Sequence, residues 1–315
     1  MKIPTEDDAI RIVEDLTGEK VKSIKRFPTG KANYVYDALT EKRQLVVRLT
    51  KEDSIRYFEG AIYWYPLLTE RGVPLPKLIY HEIDPIKHGF PVMVMDRVPG
   101  KDLGEVYRTL TKEQKQNLAA QIASFQIKVQ EMPLGPGFGY ARSYEDPKLK
   151  KSYTDVVRAH LERSRSRITN EEIIGHGLIG KAEKIIDKYE GYFSKILPIP
   201  FLDDTTTKNV IIDQGKLAGV VDADFVCFGD IVQLVGLINM ALLADKFNTD
   251  YVDYLIKELG LNDEQRNTLN LYTLLYGIDF LTNHGHAFNK DSKINMDFDQ
   301  IFHLKKIIDT HLALL

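Results

Sequence analysis

Hydrophobic and polar positions change rhythm about a third of the way along the chain. The first third carries short strand-like runs, Val21 to Phe27, Asn33 to Leu39 and Gln44 to Leu49, with Thr40-Glu41-Lys42 turning between the last two. An amphipathic helix precedes them. Thr5 is placed to cap it, Glu6, Asp7 and Asp8 fill its first turn, and Gly18 closes it behind a stripe of Ala9, Ile10, Ile12, Val13 and Leu16. A second helix is predicted from Ser54 to Arg71, stopped by Gly72 and the segment Val73-Pro74-Leu75-Pro76. Pro91 to Gly100 reads as a buried strand running into a connector. From Thr111 the spacing turns helical, with one helix to Met132-Pro133, others near Tyr153 to Ser166 and Leu178 to Lys195, and a strongly apolar one from Ile231 to Ala244. Tyr251 to Leu259, Asp263 to Phe280 and Gln300 to Leu314 complete the helical set. Strands first and helices afterwards, with one hairpin among the helices, are the segregation of an α+β fold.

That hairpin holds the densest chemistry. Val210-Ile211-Ile212 and Leu217 to Val221 flank the turn residues Asp213-Gln214-Gly215. Antiparallel pairing brings Asn209, entering the first strand, to the same end as Asp222, leaving the second. Asp204 lies in the loop just before. Two carboxylates and a carboxamide are hard oxygen donors of the kind Mg²⁺ prefers. A polar loop beside an ordinary hairpin accounts for the same residues equally well on chemistry alone. The spacing adds more. Asp204, then Asn209, then Gly219-Val220-Val221-Asp222 and a later Gly229-Asp230 resemble the catalytic segment of the aminoglycoside phosphotransferase / choline kinase-like family of small-molecule kinases. The chain departs from that pattern at Leu202-Asp203, where the family usually has His-Gly. Spacing to Asn209 selects Asp204 as the base, with Asp203 the second choice.

The resemblance implies a two-lobed protein-kinase-like fold, with a small antiparallel-sheet N-lobe over residues 1–96 and a mainly helical C-lobe over 97–315. It implies ATP or GTP with Mg²⁺, and γ-phosphoryl transfer to a hydroxyl of a small molecule. In that scheme Asp204 is the base and Asn209 and Asp222 hold the metal. Gly30, in the loop Pro28 to Asn33, would approach the triphosphate through backbone N–H groups. A Walker A loop is rejected there, because Lys25 and Ala32 stand where that motif needs Gly and Ser or Thr. Arg48 is a charge in an otherwise apolar strand, expensive to bury unpaired; the resemblance places it on the α- and β-phosphates. Glu59 is the candidate partner of Arg48, although Ala61 occupies the place where that partner is expected. The backbone of Met95 to Arg97 would hold the base, with Met93 as a neighbouring wall. Lys208 is a candidate γ-phosphate contact, Asp224 would face the same side as Asp222, and Asp230 would anchor the following helix.

The acceptor is left open. Asp245, Asp250, Asp253, Asp279 and Asp291 would suit a polycationic aminoglycoside, whereas Tyr272, Tyr276, Phe280 and Phe288 would line an apolar pocket for a macrolide or hydroxylated lipid. Arginines 163, 165 and 167 alternate along the chain and read as a solvated surface. An alternative to the kinase is a catalytically weak or inactive nucleotide- or small-molecule-binding protein on the same scaffold, motivated by Leu202-Asp203. Protein kinase activity is disfavoured, since no Asp-Phe-Gly to Ala-Pro-Glu segment follows Asp222.

Composition narrows the partners. A net charge of −3 gives neither a basic field for nucleic acid nor a polybasic patch for a membrane. The single cysteine, Cys227, excludes an internal disulfide and reads as a buried thiol between Val226 and Phe228. The N-terminal segment lacks a signal-peptide apolar core, and no run reaches the length of a membrane span, so a soluble cytoplasmic protein is expected.

Overall fold

The structure, a computed structural model, describes residues 3–27, 33–51, 54–168, 176–284 and 296–315. It opens with α1 (Glu6–Thr17), whose Thr5 and Asp8 form a reciprocal capping box and whose Gly18 closes it in the left-handed conformation. Five antiparallel strands follow: β1 (Ser23–Arg26), β2 (Tyr34–Leu39), β3 (Gln44–Leu49), β4 (Leu78–Glu82) and β5 (Val92–Asp96). Their order in the sheet is β1-β2-β3-β5-β4, so β3 and β5 lie side by side at its centre. α2 (Ile55–Glu70) leaves the sheet after β3 and returns to it through β4. This is the predicted small sheet, with β4 an addition.

Beyond β5 come β6 (Lys101–Asp102), α3 (Leu103–Val106), α4 (Lys112–Gln130), β7 (Gly139–Ala141), α5 (Tyr153–Ser166), α6 (His176–Lys188) and α7 (Glu190–Phe193). The helix expected from 178 to 195 is therefore two, broken at Tyr189. β8 (Ile199–Leu202) precedes the hairpin β9 (Val210–Asp213) and β10 (Lys216–Val220), and β11 (Val226–Gly229) follows it. α8 (Val232–Ala244), α9 (Asp250–Glu258), α10 (Asp263–Thr282) and α11 (Phe298–Ala313) build the rest. One expectation needs correcting. Among the described residues the helical part holds two small sheets, β10-β9-β6 and β7-β11-β8, where the sequence suggested a hairpin alone. β7, β8 and β11 are three or four residues long and find partners far away in sequence, so no local period marks them.

Among the described residues two cores form, and they do not divide at the connector after β5, the hinge of the expected two-lobed fold. The smaller joins Ile12 and Val13 of α1 to Tyr34, Tyr36, Val47 and Val94 on one face of the five-stranded sheet. The larger runs through the helical part and takes in Phe58, Trp64 and Leu68 of α2 and Met93 and Met95 of β5. α2 is thus seated on the helical part. Trp64 donates its indole N–H to the Ala141 carbonyl at 2.7 Å, Tyr57 meets Phe225 edge-on, and Gly60 abuts the Asp224 backbone. On the far side α5 packs against α10, and the His160 ring meets the Tyr276 ring edge-on at 4.8 Å between centroids. Among the described residues, no helix is long and apolar enough to cross a membrane.

Two measurements test this packing. In an open helix interior Gly60→Ala would stabilise by about 0.5–1 kcal/mol. Here the new methyl collides with the Asp224 carbonyl oxygen, backbone that cannot swing aside. Thermal unfolding is expected to show a lower Tm, by about 1–3 kcal/mol of lost stability; a raised Tm would refute the close approach. His160 supplies the second. Burial above all, with Arg163 adding, lowers its pKa to about 4. The unfolded chain, near 6.5, therefore binds a proton that the folded chain refuses between those values. Stability is expected to fall as pH drops from about 6.5 to 4, by up to roughly 3 kcal/mol. Urea titrations of His160→Gln should show that slope flattened.

Candidate active site

The hairpin turn is tight because Gln214 and Gly215 both adopt positive φ, the pair that a two-residue connection with the twist of a hairpin needs. A bulge between Leu217 and Gly219 shifts the register, and Val221 donates to the Asn209 carbonyl at the open end. Asp222 follows at φ 63°, also left-handed, and turns its carboxylate towards β3. Asp204, leaving β8, is left-handed too, at φ 57°. Asp tolerates this region better than most residues, yet it is uncommon, and such geometry gathers where a side chain must be aimed.

The Asp204 loop is tied down on every side. Thr206 donates its hydroxyl to Asp204 Oδ1 at 2.8 Å, and the Asn209 amide donates to the Asp204 carbonyl at 2.9 Å. Upstream, the buried Gln126 of α4 both accepts from the Leu202 N–H (3.0 Å) and donates to the Leu202 carbonyl (2.7 Å). Gly104 in α3 donates to the Thr207 carbonyl, so the segment after the hinge also grips the loop. Burial, with the Asp203 and Asp222 charges adding to it, pushes the Asp204 carboxyl up to about 7. Asp203 is pushed up to about 6 by burial, with Tyr140 and the Asp204 amide pulling the other way.

Arg48 lies on β3, only 4% exposed, and reaches across to the hairpin's open end. Its Nη1 and Nη2 grip Asp224 Oδ1 and Oδ2 at 2.7 and 2.5 Å, and Nη2 also meets Asp222 Oδ1 at 3.0 Å. Burial disfavours the charged guanidinium, but the Asp224 and Asp222 carboxylates outweigh it and raise its pKa. Asp222 keeps about half of its side chain exposed, whereas Asp224 is buried. The partner foreseen for Arg48 was Glu59, and that pair does not form. Glu59 instead binds Arg142, just beyond β7, at 2.5 Å, because its helix face meets the helical part and not β3.

These groups open into one cleft of about 620 Å³ between the five-stranded sheet and the helical part. It holds Arg48, Met95, Arg97, Asp204, Asn209 and Asp222 together. Glu59 does not line it, and Gly30 lies outside the described residues. At the hinge, the Asp96 and Arg97 amides are already bonded to the Lys77 and Gln44 carbonyls, so these two N–H groups are not free for a base. Part of the cleft's lining is apolar, with Val35 and Val46 from the five-stranded sheet and Ile211 from the hairpin. Another part is mixed. Asp203, Asp245 and Asp279 supply carboxylates, while Leu237, Tyr276 and Phe280 supply apolar surface. Asp279 is held by Arg163 and Arg167, so those arginines converge on α10 where the sequence suggested a solvated surface. Asp250 and Asp253 do not line the cleft, and Tyr272 is spent on Asp230 in the core. Asp291 and Phe288 lie outside the described residues.

Sequence reasoning missed Gln126 and Tyr140. Nothing local marks either, since each acts through residues more than 60 positions away. Asp230 does what was foreseen, accepting from the Val232 N–H at the start of α8.

The buried ion cluster yields a stability test. Arg48→Met leaves Asp224 buried and unpaired, and denaturant unfolding should show a loss of about 3–5 kcal/mol. Adding Asp224→Leu should restore most of it. A silent single variant would mean that the cluster is not formed in solution.

Comparisons with known proteins agree with this architecture. No curated protein sequence matches the chain. Among solved structures, the GDP complex of wild-type aminoglycoside 2′-phosphotransferase-IIIa superposes with a TM-score of 0.70 at 15% identity, covering 98% of this chain and 99% of that one. The GDP and kanamycin complex of APH(2″)-IIia gives 0.69 at 16%, covering 96% and 97%. Aminoglycoside phosphotransferase APH(4)-Ia gives 0.69 at 15%, covering 98% and 99%. At such identities the likeness is one of fold, the two-lobed kinase-like fold. The model of the phosphotransferase enzyme family matches residues 23–264, well over half of the chain, and the chain belongs to that family.

Proposed function

We propose that the protein transfers the γ-phosphoryl group of ATP or GTP to a hydroxyl of a small molecule, with Asp204 as the base. The observation that carries this reading is the convergence of Asp204, Asn209 and Asp222 on one cleft that also takes in the hinge. Solved structures of the same fold support it, one a complex with GDP and kanamycin and another with AMP-PNP and hygromycin B. The same reading divides the chain into a nucleotide-binding lobe, 1–96, and a catalytic and acceptor-binding lobe, 97–315.

The roles follow from placement. Val35, Val46 and Ile211 give the cleft an apolar stretch of the kind a nucleotide base packs against. Met95 walls it, and Arg97 stands at its edge. Phosphoryl transfer asks the protein for alignment and charge neutralisation more than for covalent chemistry. Asp204 is held by Thr206 and by its own αL backbone, so little reorganisation is left when an acceptor hydroxyl arrives. Its raised pKa suits a group that must take that proton near neutrality. Gly30 is proposed to approach the triphosphate from the loop between β1 and β2.

The donor set fits Mg²⁺. Among the described residues, no three His, Cys, Asp or Glu side chains group as a self-sufficient metal site. Mg²⁺ does not need one, because it is ordinarily held by one or two protein oxygens plus substrate phosphates and water. The Asn209 amide nitrogen is committed to the Asp204 carbonyl, which leaves its oxygen as the donor, and the half-exposed Asp222 carboxylate opens into the same cleft. Bound there, the ion would neutralise charge on the phosphoryl oxygens.

The second reading, a binding protein with weak or no turnover, draws on Arg48. The cation proposed to meet the triphosphate is already gripped by Asp224 and Asp222. Nucleotide consumption separates the two. With a panel of hydroxylated acceptors, Asp204→Asn should lower kcat by about 10²- to 10⁴-fold while leaving nucleotide affinity within threefold. Binding without turnover in the parent protein would favour the second reading, and an unchanged kcat in the variant would remove Asp204 from the mechanism.

A further inference from the structure

A second cavity, of about 440 Å³, lies among the 138–150 loop, α5 and α10, and shares the Tyr140 and Tyr276 side chains with the cleft as a common wall. Among the described residues its lining includes four cationic side chains, Arg56, Lys148, Lys150 and Arg163, and no carboxylate. That local excess runs against the net charge of −3 on the whole chain. Two nearby acids offset only part of the excess. The buried Asp146 accepts from the Arg142 and Lys148 amides and comes no closer than 3.9 Å to Arg56. Asp279 meets Arg163 at 3.4 Å from the cleft side. Four cations set against these two partial counter-ions still repel one another, and an anion between them relieves that repulsion.

Two further atoms point the same way. Arg56 Nε and His160 Nε2 are both buried without a hydrogen-bond partner. Both residues line the cavity, and His160 is 7% exposed. Buried polar atoms normally find partners, so two orphans on one cavity wall need an explanation. Arg56 Nε is a donor that wants an anionic oxygen. His160, held neutral by burial, has one ring nitrogen able to accept, and it wants a hydroxyl. Arginine and lysine together suit a phosphate ester, since guanidinium binds it in a fork and ammonium as a point charge. The volume matches a small metabolite, within the usual range of ligand pockets.

We propose that this cavity binds a small phosphorylated metabolite that also carries a hydroxyl, such as a sugar phosphate, separately from the nucleotide and acceptor cleft. The inference stands apart from the reading of the cleft and needs no turnover. Isothermal titration of the full chain with glucose 6-phosphate tests it, with glucose and inorganic phosphate as the two halves of the probe. Saturable one-to-one binding is expected, at least tenfold tighter than either half. The double variant Lys148→Glu/Lys150→Glu should weaken it at least tenfold. Both lysines are exposed, so Tm is expected to stay unchanged, which a thermal melt of the variant checks before the titration. Absence of saturable binding, indifference to the double variant, or displacement of the probe by Mg-AMP-PNP would each overturn the proposal, the last by placing the probe in the cleft. A cleft that fails to bind nucleotide would sink the kinase reading and leave this titration interpretable.

Discussion

The cluster of Arg48 with Asp224 and Asp222 is the constraint on which the architecture turns. It spans the molecule, joining the central strand of the N-terminal sheet to the loop that leaves the hairpin. A guanidinium this deeply buried is tolerable only with full compensation, and two hydrogen-bonded carboxylates provide it. The geometry is demanding. A bidentate grip fixes the plane of the Asp224 carboxylate, and the shared Nη2 fixes Asp222 beside it. The hairpin's open end therefore cannot drift from β3 without exposing unpaired charge. In the proposed reaction this sets the distance between the nucleotide phosphates and the metal ligands before any ligand arrives.

α2 makes that coupling rigid. Its large side chains belong to the helical part's core, while its backbone comes close enough at Gly60 to abut Asp224. Trp64, Arg142 and Glu59 close the same seam with an indole hydrogen bond and an ion pair. The counter-ion that the resemblance sought on α2 thus comes from the far side of the cleft, and the acid on α2 serves the seam. A strand cation tied across the cleft opposes any closing or opening motion that separates β3 from residues 222–224.

Much of this was legible because local physics writes it. Capping residues, apolar stripes and Gly stops marked most helices to within a residue or two, since caps and stripes depend on neighbours three or four positions away. The hairpin was legible through its turn, and Asp204, Asn209 and Asp222 through their spacing around it. What failed was long-range. β8 and β11 pair across the intervening hairpin, and β7 joins them from some 85 residues upstream. Arg163 and Arg167, one helical turn apart, meet Asp279 only because α5 packs on α10. Their alternation in sequence carried no hint of that. Arg48 was legible as a charge needing a partner, but the partner's identity was set by how α2 docks.

The acceptor end shows why the substrate resists reading even with side chains in place. Its acids are not equivalent. Asp279 is neutralised by two arginines, Asp245 accepts from Thr207, and Asp203 has a buried oxygen with no partner. A count of aspartates therefore overstates the pull on a cation. Asp203 stands beside the proposed base, so a donor on the acceptor that meets it would also bring a neighbouring hydroxyl to Asp204. Leu237 and Phe280 meanwhile present apolar surface to the same end of the cleft. Charge at one edge and hydrocarbon at the other give this end of the cleft two faces, so neither its acids nor its aromatic residues taken alone describe it.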